Sequence, residues 1–305
     1  MKAISLLLLI TTTMVHAQKK ELVANGNVHL STTVYSDDKT ETILLLHGGP
    51  GVPDEMIEIV DILKTKYRVI TFEQRGVGAS DCEKCSYKMD DYISDIDAIA
   101  NKYNITSFHI FGHSWGGLYA QIYAIERPEK IKSLFLCSPS SGTNILWKKT
   151  EKEVMSFNRK MTSNKEWINM GWNSFLGMLG SDKAYGKVFK QVLKNYYKDY
   201  CDLKLDDEFY TKIHSKPINK TRKEIRKYKL LEELTNPRFP ILITYGDNDI
   251  YGESKDALSK RFPTANITSI KKSGHIPWKH NYVEFEKILV NFYNIEKPAG
   301  NTLYK

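Results

Sequence analysis

Gly112-His113-Ser114-Trp115-Gly116-Gly117 constrains this chain more than any other stretch. It sets a serine between glycines at the junction of an apolar run, Phe108-His109-Ile110-Phe111, and a helical pattern. A strand that turns sharply into a helix strains the backbone of the intervening residue and leaves little room for side chains two positions to either side. Glycines at 112 and 116 meet that need. The turn also aims the backbone N–H of Trp115, at a helix start, toward any negative charge developing beside Ser114 Oγ. Glycine–serine turns also occur in inert loops, so the reading rests on what surrounds this one.

Upstream, the apolar run Thr42-Ile43-Leu44-Leu45-Leu46 has the continuous character of a buried strand and ends in His47-Gly48-Gly49-Pro50-Gly51. A backbone this bare can approach a ligand closely, and Gly49 is the expected second oxyanion donor beside Trp115. His47 reads as a loop-buttressing side chain rather than a general base. A further apolar strand, Tyr67 to Phe72, runs into Glu73-Gln74-Arg75-Gly76-Val77-Gly78-Ala79-Ser80.

With these three stretches in order, the chain resembles the α/β-hydrolases of the proline iminopeptidase family, which carry HGGPG, then D-Q-R-G-x-G-x-S, then a G-x-S-W-G elbow. Glu73 stands where the family has aspartate. The resemblance runs from Ile43 to Ser138, resumes at Pro240 and is weak between. It implies an exopeptidase that removes N-terminal proline and needs no metal or cofactor, with cap carboxylates binding the substrate amine. Relatives carry a glutamate in an E-N-H-Y cap helix, whereas Lys194-Asn195-Tyr196-Tyr197 has lysine there, a charge that would repel an amine. Glu224, Glu232 and Glu233 are the alternatives. A carboxylesterase of broad or unknown ester specificity therefore stands as a rival, and a noncatalytic binding protein on the same fold as a second. Relatives that attack with aspartate, the epoxide hydrolases and dehalogenases, fit poorly with a serine at 114.

Serine is a weak nucleophile at neutral pH and needs a base, which needs an orienting carboxylate. In this fold the chain order is serine, acid, histidine. The apolar run Pro240 to Tyr245 ends in Gly246-Asp247-Asn248-Asp249, where either aspartate could serve. The family pattern G-x-x-D selects Asp249 and leaves Asp247 as a turn or helix cap. The base is expected at His275, in Ser273-Gly274-His275-Ile276-Pro277-Trp278, with His280 as its competitor. The expected catalytic set is thus Ser114, Asp249 and His275, acting by acyl transfer.

Apolar runs alternate with helical stretches over 305 residues that are 41% hydrophobic, which implies an α/β fold with a mostly parallel sheet covered by helices on both faces. Strands are expected near 43–46, 67–72, 107–111, 132–137, 240–245 and 266–271, after an N-terminal hairpin near 20–36. Helices are expected near 54–66, 89–103, 115–127, 254–262 and 282–294. Residues 18–141 and 238–305 form the expected core, and 142–237, rich in aromatics, an inserted helical cap.

Met1 to Ala17 reads as a secretory signal peptide cleaved after Ala17, its apolar run being too short to span a bilayer. The mature protein is therefore expected to be exported, with no stable membrane anchor. Export permits disulfides, and Cys82 and Cys85 suit a local one; Cys137 reads as a core residue and Cys201 as a free thiol. The net charge of +8 comes with no nucleic-acid motif and reads as a solvated cap surface. The expected partner is a small-molecule or short-peptide substrate.

Overall fold

The chain opens with β1 (Lys19–Asn25) and β2 (Val28–Tyr35), an antiparallel pair turned at Gly26, whose φ of 61° suits glycine. This is a computed structural model, and it describes residues 18–80, 84, 86–202 and 206–296. The leader expected over Met1–Ala17 and the pair Cys82 and Cys85 lie outside the described residues.

The apolar runs become β3 (Thr42–Leu46), β4 (Arg68–Phe72), β5 (Phe108–His113), β6 (Ile131–Cys137), β7 (Ile241–Gly246) and β8 (Asn266–Ile270). They join β1 and β2 in one eight-stranded sheet of order β1-β2-β4-β3-β5-β6-β7-β8. Pairing is antiparallel from β1 through β2 to β4 and parallel from β4 onward. β3 and β7 are buried along their whole length. That is why their sequences show no polar alternation: both faces of a parallel sheet are covered.

Helices α1 (Ile57–Leu63), α2 (Met89–Lys102) and α3 (Trp115–Glu126) alternate with the strands. Among the described residues five more lie between β6 and β7: α4 (Ile145–Met161), α5 (Asn164–Met178), α6 (Asp182–Tyr197), α7 (Asp207–Thr211) and α8 (Ser215–Lys227). The chain returns to the sheet with α9 (Asp256–Arg261), α10 (Pro277–His280) and α11 (Tyr282–Tyr293). α3 is buried on almost every side, as its predominantly apolar sequence requires.

Strand and helix positions agree with the sequence expectations, with two shortenings. The helix expected over 54–66 spans only Ile57–Leu63, because Met56 takes a left-handed backbone (φ 49°, ψ 43°) that no helix continues through. The helix expected over 254–262 is divided into a 3-10 turn at Glu253–Lys255 and α9.

A buried ion pair ties the loop after β4 to α2. Arg75 donates to both carboxylate oxygens of Asp95, from Nε at 2.8 Å and from Nη2 at 2.7 Å. Nη1 and Nη2 also reach the carbonyls of Ser86 and Asp91, so all three guanidinium nitrogens donate.

Candidate active site

Five of the residues singled out by sequence follow the carboxyl ends of parallel strands. His47 follows β3, Glu73 follows β4, Ser114 follows β5, Asp249 lies beyond β7 and His275 beyond β8. In open α/β sheets this rim is where ligands bind. Adjacent placement of β5, β6, β7 and β8 brings together side chains that lie 161 residues apart in sequence.

Ser114 sits between β5 and α3 with φ 54° and ψ −116°, a conformation that costs a non-glycine residue of order 1–3 kcal/mol. Its neighbours explain the glycines around it. A Cβ on Gly112 would stand 2.6 Å from the Gly116 carbonyl oxygen, and one on Gly116 would overlap the carbonyls of Leu46 and His47.

From this turn Ser114 Oγ lies 3.0 Å from His275 Nε2, and His275 Nδ1 lies 3.1 Å from Asp249 Oδ1. With Nδ1–H donating to the carboxylate, Nε2 is free to accept the serine proton. Asp249 Oδ2 accepts from Ser138 Oγ at 2.6 Å, and Oδ1 from the Tyr251 amide at 3.2 Å. Burial alone would raise the Asp249 pKa, but His275 and these donors outweigh it and hold the carboxyl below its ordinary range.

The other candidates hold the loops. Asp247 accepts from the amides of Lys272 and Ser273 at 2.8 and 3.0 Å, fixing the chain that leads to His275. His280 Nδ1 accepts from the Gly274 amide at 2.9 Å while its ring stacks on Tyr200 at 4.0 Å. His113 Nε2 donates to the His275 carbonyl oxygen at 2.9 Å. Burial pushes His280 down to about 4 and His113 to about 3, so both are neutral braces.

Gly49 has φ 60° and Trp115 opens α3, where an N–H has no acceptor within the helix. Gln74 couples these two loops. Its side-chain amide accepts from Trp115 Nε1 at 2.7 Å and donates to the His47 carbonyl at 2.9 Å, while its backbone N–H donates to His47 Nε2 at 3.3 Å. His47 therefore carries its proton on Nδ1 and donates to the Gly48 carbonyl at 2.9 Å. Burial lowers its pKa to about 4, which fits a brace and not a base. Glu73 accepts from the Ala79 amide at 2.7 Å, so the longer acid still closes its glycine loop.

Tyr251 is a neighbour of Ser114 that pattern reading did not find. Its hydroxyl is 3.2 Å from Ser114 Oγ and 2.8 Å from Ser140 Oγ, and its ring meets His275 edge-on at 5.1 Å. Ser138, Ser140 and Tyr196 were also missed; the Tyr196 ring lies 5.3 Å from His275. The one available signal was proximity in sequence, since Tyr251 stands two residues after Asp249.

The amine-binding question takes a different form in three dimensions. Lys194 faces outward and pairs with Glu166 of α5 at 2.9 Å, while Asn195, Tyr196 and Tyr197 of the same turn are buried. It is therefore not positioned to repel a substrate from within. Glu224 pairs with Lys227 at 3.6 Å, and Glu232 and Glu233 are exposed. Among the described residues no cluster of three or more His, Cys, Asp or Glu side chains gathers to hold a metal ion. Cys137 is buried and Cys201 exposed, both as free thiols.

A family model described as alpha/beta hydrolase fold matches residues 41–278. A proline iminopeptidase of Clostridioides difficile (strain 630) is 24% identical, the match covering 83% of this chain and 89% of that protein. A proline iminopeptidase of Lactobacillus delbrueckii subsp. lactis is 32% identical over 81% of this chain and 88% of its own length. Among solved structures, VinJ superposes with a TM-score of 0.70 at 15% identity, covering 90% of this chain and 98% of VinJ. The chain belongs to the α/β-hydrolase family, as a hydrolase related to the proline iminopeptidases.

Proposed function

We propose that the protein is a serine hydrolase working by acyl transfer, with Ser114 as nucleophile, His275 as general base and then acid, and Asp249 as the group that orients the imidazole. The observation that carries this reading is the hydrogen-bonded line from Ser114 Oγ through His275 to Asp249, at 3.0 and 3.1 Å. As Ser114 attacks a carbonyl, its proton passes to His275 Nε2, and the buried Asp249 carboxylate stabilises the imidazolium that forms. The oxyanion is held by the N–H groups of Gly49 and Trp115, each such donor contributing about 3–4 kcal/mol to the barrier reduction. His275 then protonates the leaving group, and water, activated by the same imidazole, resolves the acyl-enzyme.

The substrate reading is removal of an N-terminal proline from short peptides. Support comes from the HGGPG, E-Q-R-G-V-G-A-S and G-H-S-W-G stretches and from the proline iminopeptidases among the relatives. Carboxylesterase activity is the second reading. What favours it is where the expected amine-binding carboxylates lie: Glu224 pairs with Lys227, and Glu232 and Glu233 face solvent. The five helices between β6 and β7 act in this reading as a cap, with Tyr196 against His275. Export belongs to it on the strength of the Met1–Ala17 pattern.

The test is a side-by-side assay on a proline arylamide and on short p-nitrophenyl esters, with Ser114→Ala as control. Arylamide cleavage that needs a free amine supports the peptidase, and ester cleavage alone supports the esterase. A Ser114→Ala protein as fast as its parent would refute both.

A further inference from the structure

We propose that the hairpin of α5 and α6 docks onto an anionic phospholipid bilayer, a role separate from the chemistry at Ser114. The first observation is an apolar stripe with nothing on it. Ile168, Trp172, Phe175, Met178 and Leu179 are 47–71% exposed, although all five are large and hydrophobic. At 3.6 residues per turn they occupy an arc of about 120° on α5 and its C-terminal residue. A contiguous patch of this kind marks an interaction site, whereas scattered exposed residues need no explanation.

The second observation is the charge beside it. Lys183, Lys187, Lys190, Lys194 and Lys198 are exposed on α6 and its C-terminal residue. Their spacing confines them to an arc of about 80°. Lys190 pairs with Asp207 and Lys194 with Glu166, while Asp182, the one acid of α6, is turned to Ser215 and His214. Twenty Lys and Arg residues against twelve Asp and Glu lie between positions 142 and 237, so this insertion accounts for the whole net charge of +8. The two stripes are neighbours: Trp172 and Lys187 both line a cleft of about 480 Å³ between α5 and α6.

An apolar helical face with a tryptophan, flanked by lysines, is the pattern of a helix that lies in the membrane interface, its apolar side among the acyl chains and its cations among anionic headgroups. Other occupants fit less well. A two-fold dimer through this patch would set one lysine stripe near its own copy. Nucleic acid would meet the lysines but leave the apolar stripe in water. Among the described residues no helix is long and apolar enough to cross a membrane, so the contact proposed is peripheral. Tyr196 projects from the opposite side of α6, toward His275, so docking by the outer face leaves the inner face with the site.

The full chain is tested by flotation with phosphatidylcholine vesicles and with equimolar phosphatidylcholine–phosphatidylglycerol vesicles, the latter also carrying brominated acyl chains. Binding is expected to the anionic vesicles only, to weaken in high salt, and to quench a tryptophan component that disappears in Trp172→Phe. The triple variant Lys183→Glu, Lys187→Glu, Lys198→Glu is expected to bind at least tenfold more weakly, each lysine being worth about fivefold. It should keep the parent's rate on a soluble substrate and its melting temperature. Equal binding to both vesicles, binding without loss of quenching in Trp172→Phe, or no binding would overturn the proposal. So would a vesicle-free dimer, seen by sedimentation, that Ile168→Asp abolishes.

Discussion

The Tyr251 hydroxyl stands 3.2 Å from Ser114 Oγ and 2.8 Å from Ser140 Oγ, a bridge between Ser114 and the loop after β6. Burial raises the Tyr251 pKa, so this hydroxyl is neutral and can donate. In the proposed mechanism the serine proton goes to His275, so Tyr251 donates to the Ser114 oxygen and takes its own hydrogen bond from Ser140. Tyr251→Phe removes one neutral hydrogen bond and leaves the ring in place. The expected result is a change of about 3–10-fold in kcat/KM with little change in melting temperature, measured by steady-state kinetics and calorimetry.

Asp249→Asn tests the orienting role. An amide carries no charge to stabilise the imidazolium, and its NH2 can donate to His275 Nδ1, so the wrong tautomer is favoured. Turnover should fall about 10⁴-fold while circular dichroism stays that of the parent. A loss under tenfold would assign the orienting role elsewhere.

Arg75 and Asp95 form a pair whose side chains are 3% and 0% exposed. Removing one partner strands the other charge in the interior. Arg75→Ala or Asp95→Ala should each cost about 3–5 kcal/mol in urea unfolding, and Arg75→Met with Asp95→Leu should recover much of that loss.

Two buried histidines set an acid limit. Burial lowers His47 to about 4 and His113 to about 3 from 6.5, so both are neutral when folded. Below 6.5 the unfolded chain takes up protons that the folded chain refuses, and stability falls with pH until the folded values are reached. At pH 5 each histidine should have cost about 2 kcal/mol relative to pH 7, measurable as a lower urea midpoint.

Most of the sheet and its rim was legible in sequence for physical reasons. Thr42 to Leu46 reads as a strand covered on both faces, and the glycines at 112 and 116 answer to close backbone contacts at the elbow. Residues that act through tertiary contact were not legible. Ser138 reaches Asp249 across 111 positions and Gln74 reaches Trp115 across 41, and neither leaves a periodic trace. The outward turn of Lys194 depended on the register of α6, which motif similarity alone did not reveal.

The most direct test of the chemistry is to treat the protein with a fluorophosphonate and map the adduct by peptide mass spectrometry. A single adduct on Ser114, absent when His275→Ala replaces the base, is the predicted result. An adduct at another residue, or labelling of Ser114 at the parent's rate without His275, would contradict it.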